Sequence, residues 1–192
     1  PPITKWNLSR FAECLIPLID NNEDKAIQLA TEAIDNFQNI YEEKWLNMMR
    51  DKLGLFGKTK DDKKLIDDLL TWMEKNKADY TNTFCYLMNI DVVNNEIYKD
   101  NDFLAWLKNW QNRLLVNNCT KEKSLNLMKN INPTVIPRNH KVEEALLSAN
   151  DYNLEKMNKL LSVLNNPYNS QQNIKEFQTP SLNNDYQTFC GT

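Results

Sequence analysis

Apolar residues recur every three or four positions through most of this sequence, and that spacing constrains the fold more than any other feature. An apolar stripe of this period lies on one face of an α-helix, whereas a half-buried strand alternates with a period of two. No segment shows a strand pattern stronger than the helical one, and no repeat of roughly 30–45 residues is present, which disfavours a helical solenoid. The sequence therefore predicts an all-α protein.

A series of helices is predicted from this spacing. The first carries an apolar stripe over residues 6–18 and is expected to end or kink at Pro17. The second is a long helix over residues 23–53, which Gly54 ends in a left-handed cap. The later helices are predicted to start, in chain order, at Asp61 and Asp62, after Thr81, at Asp102, after Thr120, before Val142 and before Met157.

The helical spacing stops after Tyr168. Residues 169–192 are rich in Asn, Gln, Ser and Thr and contain only scattered apolar residues, among them Ile174 and Phe177. A segment of this composition does not fold alone, but its spaced apolar residues are suited to fixing it along a larger body. We therefore interpret residues 169–192 as an extended tail that ends near Cys190.

Several classes of function are excluded by composition. The sequence has only three glycines, so the glycine-rich loops that cradle nucleotide phosphates are absent from it. The net charge is −3 and the two signs are interspersed, which disfavours a nucleic-acid partner. No apolar run approaches the roughly 20 residues that cross a bilayer, so no membrane partner is expected. Because the chain begins at Pro1 and not at Met, we expect it to be a piece of a longer protein.

The cysteines predict neither a zinc site nor a disulfide framework. They lie far apart with no CxxC pair, and His140 is the single histidine. Cys14, Cys85 and Cys119 lie in or beside apolar helical stretches, which predicts reduced, buried thiols. Cys190 differs because a thiol on a flexible tail next to a glycine is accessible and able to reach a distant partner. An incidental exposed cysteine is the open alternative.

Other candidate residues are interpreted as structural. His140 has neither a nucleophile nor a metal partner, so we interpret it as a hydrogen-bonded or exposed histidine. Arg138 and Asn139 are expected to bridge backbone groups across the preceding proline turn. Acidic clusters are capable of general acid–base chemistry but more typical of charged helix faces; they are Asp61-Asp62, Asp67-Asp68 and Glu143-Glu144. Tryptophans without a basic groove are expected to be core or interface anchors; they are Trp6, Trp45, Trp72, Trp106 and Trp110.

Six strings of residues, in order along the chain, form a recognisable set. The six strings are Pro2-Ile3 with residues 6–13 (WNLSRFAE), residues 49–55 (MRDKLGL), residues 79–84 (DYTNTF), Asn132-Pro133 with Arg138-Asn139, residues 160–164 (LLSVL) before Pro167-Tyr168, and the terminal Cys190. Together they resemble motifs of the SelO (YdiU) family. The order and spacing agree from residue 2 to residue 192, so the resemblance covers the whole chain. Cys85 is a departure, since an arginine often stands at its position in the family.

The resemblance implies a specific activity for a longer parent protein. Members of the family have a protein-kinase-like fold and transfer AMP from ATP to Ser, Thr or Tyr hydroxyls of other proteins, with Mg²⁺ or Mn²⁺ neutralising the phosphates. The family's nucleotide-binding, metal-binding and catalytic residues precede the WNL string, so the resemblance implies no catalytic, cofactor-binding or metal-binding residue in this chain. It also implies a cytoplasmic, bacterial-type protein.

The resemblance further implies a domain organisation. Residues 1–53 would complete a kinase-like C-lobe, residues 54–168 would form a helical C-terminal extension, and residues 169–192 would form the tail. Cys190 corresponds to a position that forms a redox-sensitive disulfide with an upstream cysteine in some members. The implied partners are the upstream kinase-like domain and the parent's protein substrates. A stand-alone helical interaction module and an inactive family member remain as alternatives.

Overall fold

The computed structural model describes residues 1–93, 95–116, 120–169 and 174–181. Within these ranges the chain is helical and contains no β-strand, which confirms the predicted all-α class. The α-helices, in chain order, are α1 Pro2–Ile19, α2 Glu23–Asp35, α3 Phe37–Lys52, α4 Asp62–Asn76, α5 Tyr80–Leu87, α6 Asn101–Leu114, α7 Lys121–Ile131, α8 Asn139–Asn150, α9 Glu155–Leu164 and α10 Lys175–Gln178, with a 3-10 helix at Asn95–Lys99.

The chain divides into two compact units, Pro1–Met49 and Arg50–Thr192. In the first unit α1 packs against α2. No residue of α1 is buried, so the expectation of a buried thiol at Cys14 is wrong. Pro17 lies inside α1, which continues to Ile19. The assignment of residues 1–53 to a kinase-like lobe and of residues 54–168 to an extension stays a prediction.

The single long helix expected over residues 23–53 is two helices. The interruption is one residue, Asn36, whose backbone keeps nearly helical angles (φ −75°, ψ −10°). Its N–H still donates to the Glu32 carbonyl, and its own carbonyl accepts from the Ile40 N–H. Apolar spacing does not reveal such an interruption, because the residues on either side stay close to helical register.

Aromatic side chains fill much of the core of the second unit. Phe103 is fully buried, and its ring centroid lies 4.5 Å from that of Trp72 and 5.7 Å from that of Trp106. Each buried tryptophan donates its indole N–H: Trp106 to the Leu65 carbonyl, Trp110 to the Leu53 carbonyl, and Trp72 to the Asp100 carboxylate. The prediction of core anchors is therefore confirmed for Trp72, Trp106 and Trp110, whereas Trp6 is 59% exposed.

Gly54 ends α3 in a left-handed conformation, as predicted. Its φ is +67°, and a side chain there would bring a Cβ within 2.8 Å of the Ser124 carbonyl oxygen. The Leu55 N–H meanwhile donates to the Arg50 carbonyl, which satisfies one of the helix's last carbonyls. Glycine at this position thus allows both the reversal of the chain and the close approach of α7 to the end of α3.

The observed capping residues agree less closely with those predicted from the sequence. Thr120 caps α7 as predicted, accepting from the Lys123 N–H. Helix α5 is instead capped by Asp79, two positions before the predicted Thr81, and α6 by Asp100, two positions before the predicted Asp102. In both cases an aspartate carboxylate accepts the N–H three residues ahead, which is the preferred capping geometry.

Candidate functional site

A buried ion cluster holds the start of α4 against α3 and α6. Asp62 is fully buried. The Nε atoms of Arg50 and Arg113 lie 2.6 Å from its two carboxylate oxygens, and the Thr59 hydroxyl and backbone N–H donate at 2.6 and 3.0 Å. Arg113 also donates to the carbonyls of Phe56 and Gly57. The interpretation of Asp62 as part of a solvated charged face is therefore wrong.

The Asp62 carboxylate is an ion-pair centre and not a candidate acid or base. Burial raises its pKa, but the hydrogen bonds from Arg113, Thr59 and Arg50 outweigh burial and hold the pKa far below the usual value of 3.8. The group therefore stays ionised, with both oxygens occupied by donors. The other acidic pairs do lie on solvated helix faces: Asp67 and Asp68 pair with Lys63 and Lys64, and Glu144 pairs with Lys141.

A second ion pair ties α8 to α5. Arg138 donates from Nη1 and Nη2 to the two oxygens of Asp79 at 2.8 and 2.9 Å, in the bidentate geometry that favours arginine. Asp79 also caps α5 by accepting from the Asn82 N–H at 2.8 Å. The remaining donor of Arg138, Nε, reaches the carbonyl of Phe177 at 3.1 Å. The Arg138 guanidinium thus bonds a backbone carbonyl 39 residues away, and not one across the preceding proline turn as predicted.

Two successive backbone carbonyls of the C-terminal segment accept hydrogen bonds from the body of the second unit. Phe177 accepts from Arg138, and Gln178 accepts from the Asn82 amide at 3.1 Å. Gln178 is itself 2% exposed, and its amide donates to the carbonyl of Thr134 at 2.9 Å. We call residues 174–181 the anchored segment, because polar side chains hold its backbone and a backbone carbonyl holds its buried glutamine.

Apolar burial also holds the anchored segment. Ile174 and Phe177 are buried in one cluster with Ala145 of α8 and Leu160 and Val163 of α9. Removing side chains of this size from water contributes roughly 1.5–3 kcal/mol each. The expectation that Ile174 and Phe177 fix the tail along a larger body is confirmed for the described part of the tail.

Cys85 lies in the buried region next to the anchored segment. It is a free thiol with no exposed surface, 3.8 Å from the carbonyl oxygen of Pro133. Burial, reinforced by the negative charge of Asp79, raises the pKa of this thiol to about 11. The thiol therefore remains protonated near neutral pH and is a poor nucleophile, as expected for a structural cysteine.

The other predicted site residues fall in different places. Cys190 and Cys119 lie outside the described residues. His140 is the second residue of α8, and its pKa is lowered by partial burial and by the charge of Lys141. Within the described ranges, no group of three or more His, Cys, Asp or Glu side chains is arranged to hold a metal ion. In the same ranges, no helix is both long and apolar enough to cross a bilayer.

Comparison of the sequence with known proteins identifies the family of this chain. The family model described as "Protein adenylyltransferase SelO" matches residues 1–165. The chain belongs to the SelO family. Curated relatives named "Protein nucleotidyltransferase YdiU" match its whole length: the one from Pelagibacter ubique is 57% identical, and those from Nitrosococcus oceani and Clostridium beijerinckii are each 45% identical. The chain spans 40% of the length of these relatives.

Two of the strings that resemble the SelO family meet in the structure. Asp79 belongs to the DYTNTF string and Arg138 to the string that pairs Asn132-Pro133 with Arg138-Asn139. Their bidentate ion pair joins segments 59 residues apart. Sequence reasoning missed this pair, the buried arginine partners of Asp62 and the buried Gln178, because no periodic pattern links residues so far apart. The signal that was available is Asp79 standing immediately before a helix, a preferred capping position.

Proposed function

We propose that the protein containing this chain is an ATP-dependent protein adenylyltransferase, which transfers AMP from ATP to Ser, Thr or Tyr hydroxyls of other proteins. The match of residues 1–165 to the SelO family model carries this proposal. Nucleotide binding and chemistry belong, in this proposal, to a kinase-like domain upstream of residue 1. That domain would hold ATP with Mg²⁺ or Mn²⁺ and act in the cytoplasm, where ATP is supplied, without a nucleic-acid or membrane partner.

The role proposed for this chain is that of the C-terminal part of the enzyme, a scaffold with a regulatory tail. Its buried charges support that role, since the Asp62 oxygens accept from Arg50, Arg113 and Thr59 and no acid or base is free there. The Asp79 carboxylate likewise accepts hydrogen bonds from Arg138 and from the Asn82 N–H at the start of α5. Groups held in this way position helices and do not exchange protons with a substrate.

Cys190 is proposed as the redox residue of the tail. The anchored segment supports the proposal, because it holds the chain as far as Ser181, nine positions before Cys190. Nine extended residues span at most about 30 Å. The thiol is proposed to form a disulfide with a cysteine of the upstream domain, as the two thiols pass two electrons and two protons to an oxidant such as oxidised glutathione.

The test of the activity is AMP transfer from ATP labelled at the α-phosphate. The intact gene product and this chain alone are each incubated with a mixture of acceptor proteins and Mg²⁺ or Mn²⁺. The proposal predicts labelled protein with the intact product and none with the chain alone. Labelling by the chain alone would place chemistry within residues 1–192, and no labelling by either would favour a stand-alone helical interaction module or an inactive family member.

A further inference from the structure

A cavity of about 650 Å³ lies among the end of α5, α6 and α7. Three of its lining residues are apolar and at most 5% exposed: Leu87, Trp110 and Met128. Other apolar side chains that line it are half-buried: Ile90, Leu107 and Leu125. Pockets for small molecules have volumes of roughly 300–1,000 Å³ and mostly apolar walls. The cavity is therefore large enough, and apolar enough, to hold a small molecule.

The deep part of the cavity offers few hydrogen-bonding groups. Trp110 already donates its indole N–H to the carbonyl of Leu53 at 2.9 Å. Ser124 is the one buried polar side chain among the described lining residues, and it is only 1% exposed. A polar group placed there would lose its hydrogen bonds to water without replacing them, whereas each buried methylene group is favourable. The deep part therefore suits the apolar chain of a ligand.

The exposed rim of the cavity carries one charge without a partner. Among the described lining residues, only Asp91 and Lys121 are charged. Both oxygens of Asp91 already accept hydrogen bonds, one from Lys175 and the other from the Asn95 amide. The Lys121 ammonium makes no ion pair or hydrogen bond with any residue in the described ranges. The unbalanced charge at the rim is therefore positive.

Amide side chains stand on the same rim. Gln111 and Asn112 of α6 line the cavity and are exposed, and neither side chain is hydrogen-bonded to a described residue. An ammonium and two amide N–H groups are donors that a carboxylate accepts. The rim therefore favours an anionic head group over a cationic one.

We propose that this cavity binds a monocarboxylate with an unbranched apolar chain, the chemistry of a medium-chain fatty acid. The chain lies against Leu107, Leu125 and Met128, and the carboxylate pairs with Lys121. A ligand with several negative charges would find no second unpaired cation among the described lining residues, and an alkylamine would be repelled by Lys121. This binding stands on the cavity and on the unpaired lysine, and it does not depend on the proposed AMP transfer.

Titration calorimetry with defined ligands tests the chemistry of the site. The intact gene product is titrated with octanoate, hexanoate, octylamine and a peptide that ends in Leu-Leu with a free carboxylate. Two further methylene groups in an apolar cavity strengthen binding roughly tenfold, so octanoate should bind about tenfold more tightly than hexanoate. Octylamine and the peptide should also bind more weakly. Absence of octanoate binding, or equally tight binding of any of the other three, would overturn the proposal.

Lys121→Gln tests the head group, with Lys123→Gln as the matched control. Lys123 is an exposed lysine of the same helix turn and is not among the described lining residues. An exposed ion pair contributes modestly, so we expect Lys121→Gln to weaken octanoate binding about two- to fivefold and to leave the binding of octan-1-ol unchanged. Lys123→Gln should bind octanoate as the wild type does. The same octanoate affinity in Lys121→Gln and the wild type would overturn the pairing.

Leu107→Trp tests the place of the chain, because the larger side chain fills the cavity. We expect it to weaken octanoate binding at least about tenfold. Leu104→Trp is the matched control: Leu104 is 46% exposed on the same helix and is not among the described lining residues. Circular dichroism checks that both variants keep their helices. Wild-type affinity for octanoate in a folded Leu107→Trp variant would overturn the proposal.

Amide hydrogen exchange locates the ligand without any substitution. Octanoate at twice its Kd should slow exchange of the amides of residues 107–114 and 121–128 by up to about threefold. The amides of residues 155–164 in α9 should exchange as they do without the ligand. Binding that leaves α6 and α7 unprotected would place octanoate elsewhere and overturn the proposal. None of these measurements uses AMP transfer, so failure here is distinct from failure of the proposed function.

Discussion

Asp62 illustrates how a side chain that the sequence presents as part of an acidic surface cluster becomes the centre of a buried network. Its neighbour Asp61 is exposed, and the two are adjacent in sequence at the start of one helix. What separates them is the position of Arg50 and Arg113, which lie 12 and 51 residues away. Helical spacing describes the faces of one helix, and it does not identify which charge meets a partner from another helix.

Replacing Asp62 by Asn should destabilise the second unit strongly. The substitution keeps the shape but removes the charge that compensates two buried arginines, for which we expect a loss of about 3–5 kcal/mol in the free energy of unfolding. Urea denaturation at pH 7 measures this loss. The control is Asp67→Asn, whose exposed pair with Lys63 should change stability by less than about 1 kcal/mol. Similar losses in both variants would contradict the account of Asp62.

The wild type and Asp62→Asn should differ less in their free energy of unfolding at acid pH. Because the folded-state pKa of Asp62 is lowered, its contribution to stability is fully present above the unfolded value of 3.8 and is lost as the pH falls towards the folded value. The stability difference between the wild type and Asp62→Asn should therefore shrink as the pH is lowered below about 4. A difference that stays constant from pH 7 to pH 3 would contradict this assignment.

The two described cysteines should react at very different rates. Cys14 is exposed, whereas Cys85 is buried and has a pKa raised to about 11. Iodoacetamide at pH 8 should therefore label Cys14 in the folded protein and label Cys85 only after unfolding in guanidinium. Peptide mass spectrometry measures the alkylation of both cysteines in one sample. Labelling of Cys85 in the folded protein at the rate of Cys14 would contradict its burial.

At the scale of helices, the sequence predicted much of the fold because apolar spacing is local. It placed the apolar faces of α4, α5 and α6, the cap at Thr120 and the left-handed end at Gly54. It misplaced the caps of α5 and α6, where several polar residues compete for one position. It also missed the 3-10 helix and α10, since α10 has only four residues and is held by long-range contacts.

Gly54→Ala should be more disruptive than Gly57→Ala. Both glycines have left-handed backbones, with φ of +67° and +68°, so both substitutions strain the chain by about 1 kcal/mol or more. At Gly54 the new Cβ would also lie 2.8 Å from the Ser124 carbonyl, which must move. We expect Gly54→Ala to cost at least about 1 kcal/mol more in thermal or urea unfolding. Equal losses would contradict the close packing of α7.

Arg138→Lys should loosen the anchored segment. Lysine has no planar fork, so it cannot keep both bonds to Asp79 together with the bond to the Phe177 carbonyl, and we expect a loss of about 1.5–3 kcal/mol. Faster amide exchange at residues 174–181 would report that loosening. Lys141→Ala, which removes an exposed pair with Glu144, serves as the control. Unchanged protection in Arg138→Lys would contradict its role in the anchor.

At the scale of the whole chain, the second unit is helical, and its described part ends in the anchored segment, nine positions before Cys190 in the sequence. The six family strings identified the family from sequence because they lie in order along the full chain. The ion pair and hydrogen bonds that hold the anchored segment were not predictable in the same way, since they combine residues at the starts of α5 and α8 with the C-terminal segment. Their arrangement depends on tertiary packing, which local patterns do not encode.

The redox dependence of AMP transfer tests the central proposal most directly. The intact gene product and its Cys190→Ser variant are assayed with α-labelled ATP, each after oxidation by glutathione disulfide and after reduction by dithiothreitol. We predict that reduction raises the activity of the wild-type enzyme and that the Cys190→Ser variant is equally active in both states. Equal activity of the oxidised and reduced wild-type enzyme would contradict the proposed role of the tail.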